Sequence, residues 1–244
     1  TVLHQKKSTG SGPARNAAMA IARGEYIAFM DSDDLYPSFD VLEILYNTAI
    51  DNKANICGGS LYKIDQEGNI IDKRVLDQFF YHDGWYFYKD YQYDGGFYRF
   101  LYRREFLKTH NLVFTSHRRL QDAIFFVKTM NISGKFYALN KYSYAYRKNH
   151  KSIIWTYKKI HDHLKGINEL LCFSNLHKLT KLHYLMAKNL LDTINYKMKF
   201  YIKFLFLIDI IKILKCIDWN IMKKENNRNK VNISLVKILC RYVF

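Results

Sequence analysis

Residues 31–34 read Asp-Ser-Asp-Asp, three carboxylates in four positions, directly after the apolar run EYIAFM. Like charges this close need a proton or a cation between them. A hard divalent ion answers that need, because Mg²⁺ and Mn²⁺ take oxygen ligands and typically use one or two carboxylates together with water and substrate phosphates. In an extended segment Asp31 and Asp33 project to one side and Ser32 to the other. The pattern therefore predicts a cation site and a diphosphate compound as substrate. The plainer alternative is a solvated turn that also caps a helix beginning near Ser38. Placement favours the site, since the acids follow a run of strand length and α/β sheets bind ligands beyond the carboxyl ends of their strands.

The elements that hold these acids follow from pattern. After the punctuation of STGSG, the stretch PARNAAMAIARG predicts a helix with Ser11 or Gly12 as cap, Pro13 in the first turn and Gly24 as its stop. EYIAFM predicts a short central strand covered on both faces. The spacing of Val41, Leu42, Leu45, Tyr46 and Ala49 predicts a second amphipathic helix, and ANICGGSLYKI with DQEGN a strand and a turn. RREFLKTHN and DAIFFVKTM read as short helices, KFYAL and YSYAYR as strands, with Tyr142, Tyr144 and Tyr146 on one face by the period of two. This alternation predicts an α/β sandwich with a mixed, mainly parallel sheet. Beyond Lys158 the glycines almost vanish, Gly166 being the last, and Leu and Ile recur at helical spacing. The expected boundary lies near residue 157, between an α/β domain at 1–157 and a basic, helical region at 158–244.

The run GPARNAAMAIARGEYIAFMDSDDLYP resembles the core signature of family-2 glycosyltransferases with the GT-A fold, in which an Ala-Arg-Asn helix, a Gly, an apolar strand and Asp-x-Asp-Asp follow in that order. The resemblance covers residues 1 to about 155. It implies an inverting glycosyltransferase that moves a sugar from a nucleotide-diphosphate donor, a UDP-sugar by expectation, to a hydroxyl of a glycan or lipid-linked acceptor in bacterial surface polysaccharide or lipooligosaccharide synthesis, with Mg²⁺ or Mn²⁺ as cofactor. On the same basis Asp31 contacts the donor and Asp33 binds the metal, while Asp34 supports the site or caps a turn.

Arg15 and Asn16 match the family's Arg-Asn pair, Arg15 either reaching the nucleotide or holding the acids by an ion pair. Gln121-Asp122 matches an acidic pair that opens a helix, with Gln in place of the usual Glu, and Asp122 is assigned as general base. A carboxylate in the first turn of a helix is favoured by the macrodipole and stays ionised, able to accept a proton; the alternative is an N-terminal capping Asp. YAYRKNHKS, residues 144–152, is similar to the family's Tyr-Arg-x-x-His-x-Ser stretch, which assigns Arg147 and His150 to the diphosphate and His150 also to the metal. Family members usually carry a further segment in front, with the first strands and an acidic residue that reads the base. Two expectations follow: a fragment of a longer protein, or an inactive remnant that serves as a membrane- or protein-bound adaptor.

Residues 79–102 hold 13 aromatics. Rings with polar rims suit the flat faces of sugars, so Trp85 and Tyr86 are candidate acceptor contacts. The formal charge of +16 is uneven: 21 Lys and Arg against 16 Asp and Glu in residues 1–157 (+5), and 17 against 6 in 158–244 (+11). Such a tail suits an anionic surface. The stretch 197–217, KMKFYIKFLFLIDIIKILKCI, reads either as a basic amphipathic helix in a membrane interface or as a helix packed on the catalytic domain. With no uncharged apolar run near the roughly 18 residues needed for a span, the expected location is cytoplasmic, peripheral on the inner face of the membrane. No nucleic-acid partner is expected, because no binding motif accompanies the basicity. Cys57, Cys172, Cys216 and Cys240 are widely spaced, which predicts free thiols.

Overall fold

A six-stranded mixed sheet organises the first part of the chain in the computed structural model, which describes residues 1–5, 7–73, 79–148, 154–198 and 200–229. Its strands are β1 (Tyr26–Ala28), β2 (Ile56–Ile64), β3 (Ile70–Asp72), β4 (Gly84–Phe87), β5 (Phe100–Arg103) and β6 (Lys135–Arg147). The order is β1-β5-β2-β6-β4, with β3 paired to β2. The long β2–β6 ladder is parallel, and the other pairings are antiparallel. β1, β2 and β6 therefore share one direction.

The central strand is β2, which is buried along nearly its whole length. EYIAFM instead forms β1, which among the described residues pairs only with β5. Ile27 and Phe29 are buried while Ala28 and Met30 are exposed, so one face of β1 is covered and the apolar run is longer than the strand. KFYAL and YSYAYR are one strand, β6, with bulges. Between Cys57↔Tyr137 and Ile64↔Arg147 β6 carries three residues more than β2, and the register shifts at Gly59/Ser60 and Ser60/Leu61. This re-aims the tyrosines: Tyr142 pairs with Ser60 and meets the Tyr62 ring, while Tyr144 pairs with Leu61 and Tyr146 with Lys63. Residues 60 and 61 face opposite sides of the sheet. Tyr142 thus lies across the sheet from Tyr144 and Tyr146, not beside them. Gly59 permits the bulge, since a Cβ there would stand 2.4 Å from the Lys141 carbonyl oxygen.

Helix α1 (Ser11–Ile21) begins one residue earlier than its composition suggests, with Gly10 as cap at φ 102, a left-handed value that glycine adopts without strain. Pro13 falls in the first turn, where its missing N–H goes unmissed. Gly12 is fixed by contact: a Cβ would lie 2.3 Å from the Thr115 carbonyl oxygen. Helix α2 (Val41–Asp51) buries Val41, Leu45 and Ala49, a narrower stripe than expected, with Leu42 and Tyr46 exposed. Helices α3 (Tyr88–Tyr91), α4 (Arg104–Thr109) and α5 (Gln121–Ser133) complete this part.

Contacts divide the chain into one unit of Thr1–Ser116 with Asp122–Ile153, and a second of His117–Gln121 with Ile154–Phe244. The main change of unit falls at 153/154, and five residues ahead of Asp122 belong to the second unit. That unit is helical. Its α6 (Tyr157–Leu176) is capped by the Thr156 hydroxyl, which accepts from the Lys159 N–H at 3.3 Å. It buries Ile160, Leu164, Ile167, Leu170 and Leu171 and packs on α7 (Thr180–Asp192). The stretch 197–217 is not one helix. Phe206, buried, separates α8 (Phe200–Leu205) from α9 (Leu207–Lys215), and α10 (Trp219–Asn229) follows. Cys172 and Cys216 come together here; burial and the neighbouring Cys216 raise the Cys172 thiol above its ordinary value. Among the described residues no helix is long and apolar enough to cross a membrane.

Candidate active site

The four residues after Met30 fold as a tight turn, not as an extended segment, with the Asp34 N–H donating to the Asp31 carbonyl at 3.1 Å. The turn is anchored on both sides. Behind it, Phe29 packs edge-on against Tyr102, Phe114 and Phe125 at 5.2–5.7 Å. Ahead of it, Leu35 and Ala145 exchange backbone hydrogen bonds of 3.1 and 2.9 Å, which fix the turn against the end of β6.

This geometry gives the three acids three environments. Asp31 is half-buried and takes the Arg15 Nη2 at 2.6 Å, while its own N–H donates to the Tyr144 hydroxyl at 3.1 Å. Arg15 also lies over the Phe97 and Phe114 rings, 4.9 and 5.4 Å from their centres. Asp34 is buried at 6% exposure and accepts from the Tyr144 hydroxyl and the Arg147 N–H, both at 2.7 Å. Burial raises its pKa, the two donors oppose that, and Asp33 and Asp31 add a further push upward. Of the three acids only Asp33 is exposed.

The Arg147 side chain, the expected diphosphate contact, makes three hydrogen bonds to backbone carbonyls. Its Nε donates to the Asp33 carbonyl at 2.7 Å, and its Nη1 to the Asp65 and Gln66 carbonyls at 2.8 and 2.5 Å. The side chain thus braces the turn against the 65–66 loop. Asn16 does similar work: its amide nitrogen donates to the Phe114 carbonyl and its amide oxygen accepts the Phe114 N–H, both at 2.8 Å.

Asp122 is the second residue of α5, at intermediate exposure. It comes within electrostatic reach of Tyr98 and Tyr146, as does Asp34. Those two rings stack at 5.8 Å and 14°, and Tyr98 also stacks on Tyr144 at 4.3 Å. Desolvation raises the pKa of both Tyr98 and Tyr146, and the surrounding carboxylates raise it further, so both stay neutral donors. Composition does not single these tyrosines out, because 13 aromatics crowd the tract around Tyr98 and only the bulge in β6 selects Tyr146.

Trp85 and Tyr86 lie elsewhere. They pair with Tyr137 and Phe136 at the start of β6, whereas Tyr144–Arg147 form its end. Four to seven residues of β2 separate these levels, about 13–23 Å at the rise of a strand. Tyr86 gives its hydroxyl to the His82 carbonyl at 3.0 Å, and Trp85 packs against the core near α2. His150 lies outside the described residues. Among the described residues no group of three or more His, Cys, Asp and Glu stands at metal-binding spacing. The acid chemistry still fits a divalent ion of the kind that needs one protein carboxylate and completes its shell with phosphates and water, and Asp33 is the exposed carboxylate of the turn.

An α/β sandwich with acids at the carboxyl end of same-direction strands, followed by a helical region, is the architecture of GT-A nucleotide-sugar-binding proteins. In fold the chain is similar to S. aureus TarS 1-349, solved in complex with UDP-GlcNAc, with TM-score 0.66 at 14% identity over 89% of this chain and 65% of that one. Residues 1–111 match the family described as Glycosyl transferase family 2, and the fold of the chain is similar to that of a GT-A protein. Similar proteins include the glycosyltransferase GlyG of Streptococcus pneumoniae, 26% identical over 64% of this chain and 54% of that protein. The uncharacterized glycosyltransferase EpsJ of Bacillus subtilis is 29% identical over 62% and 46%. A poly(ribitol-phosphate) beta-glucosyltransferase of Bacillus spizizenii is 44% identical over a quarter of this chain. The chain spans about half the length of GlyG and EpsJ.

Proposed function

We propose that the protein acts as an inverting glycosyltransferase, moving a sugar from a UDP-sugar to a hydroxyl of a glycan or lipid-linked acceptor in bacterial surface polysaccharide synthesis. The observation that carries the reading is the turn at the end of β1, which leaves the Asp33 carboxylate exposed while Arg15 holds Asp31 and Tyr144 and the Arg147 N–H hold Asp34. The fold shared with TarS, solved with UDP-GlcNAc and with UDP, supports the choice of donor.

Each residue then has a defined task. Arg15 holds Asp31 in place at the donor, so Asp31 accepts hydrogen bonds from the donor's hydroxyls. Tyr144 and Arg147 fix Asp34 and with it the shape of the turn, leaving the Asp33 carboxylate at the surface. Asp33 would hold a Mg²⁺ or Mn²⁺ ion, whose charge would neutralise the leaving diphosphate. Asp122 takes the proton of the acceptor hydroxyl, whose oxygen attacks the anomeric carbon in line as the bond to the diphosphate breaks. Acceptor contacts go to Tyr98 and Tyr146 in preference to Trp85 and Tyr86. The exposed apolar residues Phe204, Leu205, Leu207 and Ile208, with Lys212 and Lys215, support a peripheral seat on the inner membrane face.

The test is sugar transfer by the whole protein. Asp122→Asn is expected to lower turnover about 10²–10⁴-fold, the usual range for general-base catalysis, while UDP affinity by calorimetry stays unchanged. Full transfer by this variant would refute the assignment of the base.

A further inference from the structure

Inside the helical unit, a small polar cavity lies between α6 and α9. Helix α6 brings His161, Lys165 and Asn168 to it, spaced i, i+4 and i+7 along one stripe, and α9 brings Asp209 and Lys212, spaced i and i+3. Leu164 and Ile213, both buried, form its floor. The cavity measures about 110 Å³. Pockets for whole small molecules run to about 300–1,000 Å³, so this one has the size for a single phosphate group and not for a nucleotide or a sugar chain. Its charge is unbalanced: Lys165 and Lys212 reach it from different helices and meet one carboxylate, Asp209. Among the described residues none of these three forms an ion pair. His161 is beside Asp162, its Nδ1 3.6 Å from the Oδ1.

The edge of the cavity is apolar and open. Phe204 and Leu205 at the end of α8 and Ile208 at the start of α9 are 74%, 63% and 69% exposed, a grouping of large side chains that marks a contact surface. The edge is held in place: Phe206, in the middle of it, is buried and stacks on Tyr157 at 4.7 Å, with the His161 ring of the cavity 6.2 Å away. Cavity and apolar edge therefore share a wall.

We propose that this cavity is a phospholipid-headgroup site: Lys165 and Lys212 hold the phosphodiester of a membrane lipid while Phe204, Leu205 and Ile208 enter the acyl boundary beside it. The inference rests on the peripheral membrane seat and names what that seat grips. Charge complementarity favours a lipid as the occupant. Two ammonium groups against one carboxylate leave one positive charge over, and a phosphodiester carries one negative charge and accepts charge-assisted hydrogen bonds from both lysines. Asp209 then accepts from the headgroup's own donors, the hydroxyls of a glycerol for example. The surrounding region, with 17 Lys and Arg against 6 Asp and Glu in 158–244, draws the unit to an anionic surface.

The experiment is co-sedimentation of the full chain with vesicles of equal parts phosphatidylglycerol and phosphatidylcholine, with circular dichroism as the check that each variant is folded. Asn168→Phe fills the cavity and leaves the charge unchanged, and is expected to lower vesicle affinity about fivefold or more, the scale of one lysine contact at a membrane surface. Lys165→Ala combined with Lys212→Ala is expected to lower it about 25-fold, at fivefold each. Lys188→Ala removes an exposed charge of α7 outside the cavity and is expected to stay within twofold. Diffuse attraction predicts the opposite order, with Asn168→Phe unchanged and Lys188→Ala as weak as a single cavity lysine variant; that result overturns the site and leaves the membrane seat standing. Wild type that binds no vesicles refutes the seat itself, and the lipid site with it. Inorganic phosphate, titrated by calorimetry without vesicles, separates the sources: binding that Lys165→Ala abolishes, in a chain that ignores vesicles, makes the cavity a site for a free anion and overturns the lipid assignment. Brominated acyl chains are expected to quench the added ring of Ile208→Trp. Vesicle binding without that quenching overturns the proposal, because the edge is then covered by residues 230–244 or by a second copy of the chain.

Discussion

The two ends of β6 are similarly rich in rings and do different work. At its start rings meet rings: Tyr86 stacks on Phe136 at 5.8 Å and 13°, Trp85 meets Tyr137 edge-on at 5.6 Å, and Lys135 Nζ lies 4.1 Å from the centre of the Trp85 ring. At its end hydroxyl and amide meet carboxylate: Tyr144 and the Arg147 N–H both donate to Asp34. Ring density therefore marks packing, and a tyrosine turned toward acids marks the site.

The sharpest way to break this contrast is to cut one residue at each end. Asp33→Ala is expected to lower UDP release from UDP-GlcNAc at least about 100-fold, the scale of losing an electrostatic stabiliser, with the melting temperature almost unchanged. Trp85→Ala is expected to do the reverse, leaving UDP release within twofold while urea unfolding shows a loss of about 1–3 kcal/mol for a partly buried large-to-small change. Equal loss of activity in both variants would erase the distinction between the ends.

How far the sequence foretells this contrast depends on whether a residue's neighbours are near it in the chain. Helix α1, the apolar run and the acids behind it are local, and all three are legible at 11–34. The burial of Asp34 depends on Tyr144 and Arg147, more than a hundred residues away, so the acids look alike on paper and differ in space. The motif neighbours of Arg147 do not announce its hydrogen bonds to the carbonyls at 33, 65 and 66, which only the folded turn brings together. EYIAFM reads as a central strand because apolar length is visible and pairing is not.

Smaller effects sharpen the acid end. Tyr144→Phe removes one donor from buried Asp34 and the acceptor of the Asp31 N–H; urea unfolding should show a loss of about 1–3 kcal/mol, the cost of unsatisfied buried polar groups. The pH dependence of Asp34 gives the finest test. Its folded pKa lies above the ordinary 3.8, so the folded state binds the proton more tightly than the unfolded chain. Ionisation of Asp34 therefore works against folding, and its penalty grows as pH rises from 3.8 through the folded value. The stability of wild type minus that of Asp34→Asn, measured by urea unfolding across this range, should fall with rising pH; a flat difference would show that the donors cancel the effect of burial.

The bulges of β6 make the site depend on a count. Three surplus residues against β2 are an odd number, and an odd number inverts the parity by which a strand assigns side chains to its faces. Tyr144 and Tyr146 face the acids because of how many residues precede them, whatever those residues are. Substitutions between 140 and 143 keep this arithmetic intact, whereas deletion of a single residue there turns both hydroxyls to the far side of the sheet. The orientation of the site is thus stored in chain length, a kind of information that no comparison of residue types at fixed positions can read.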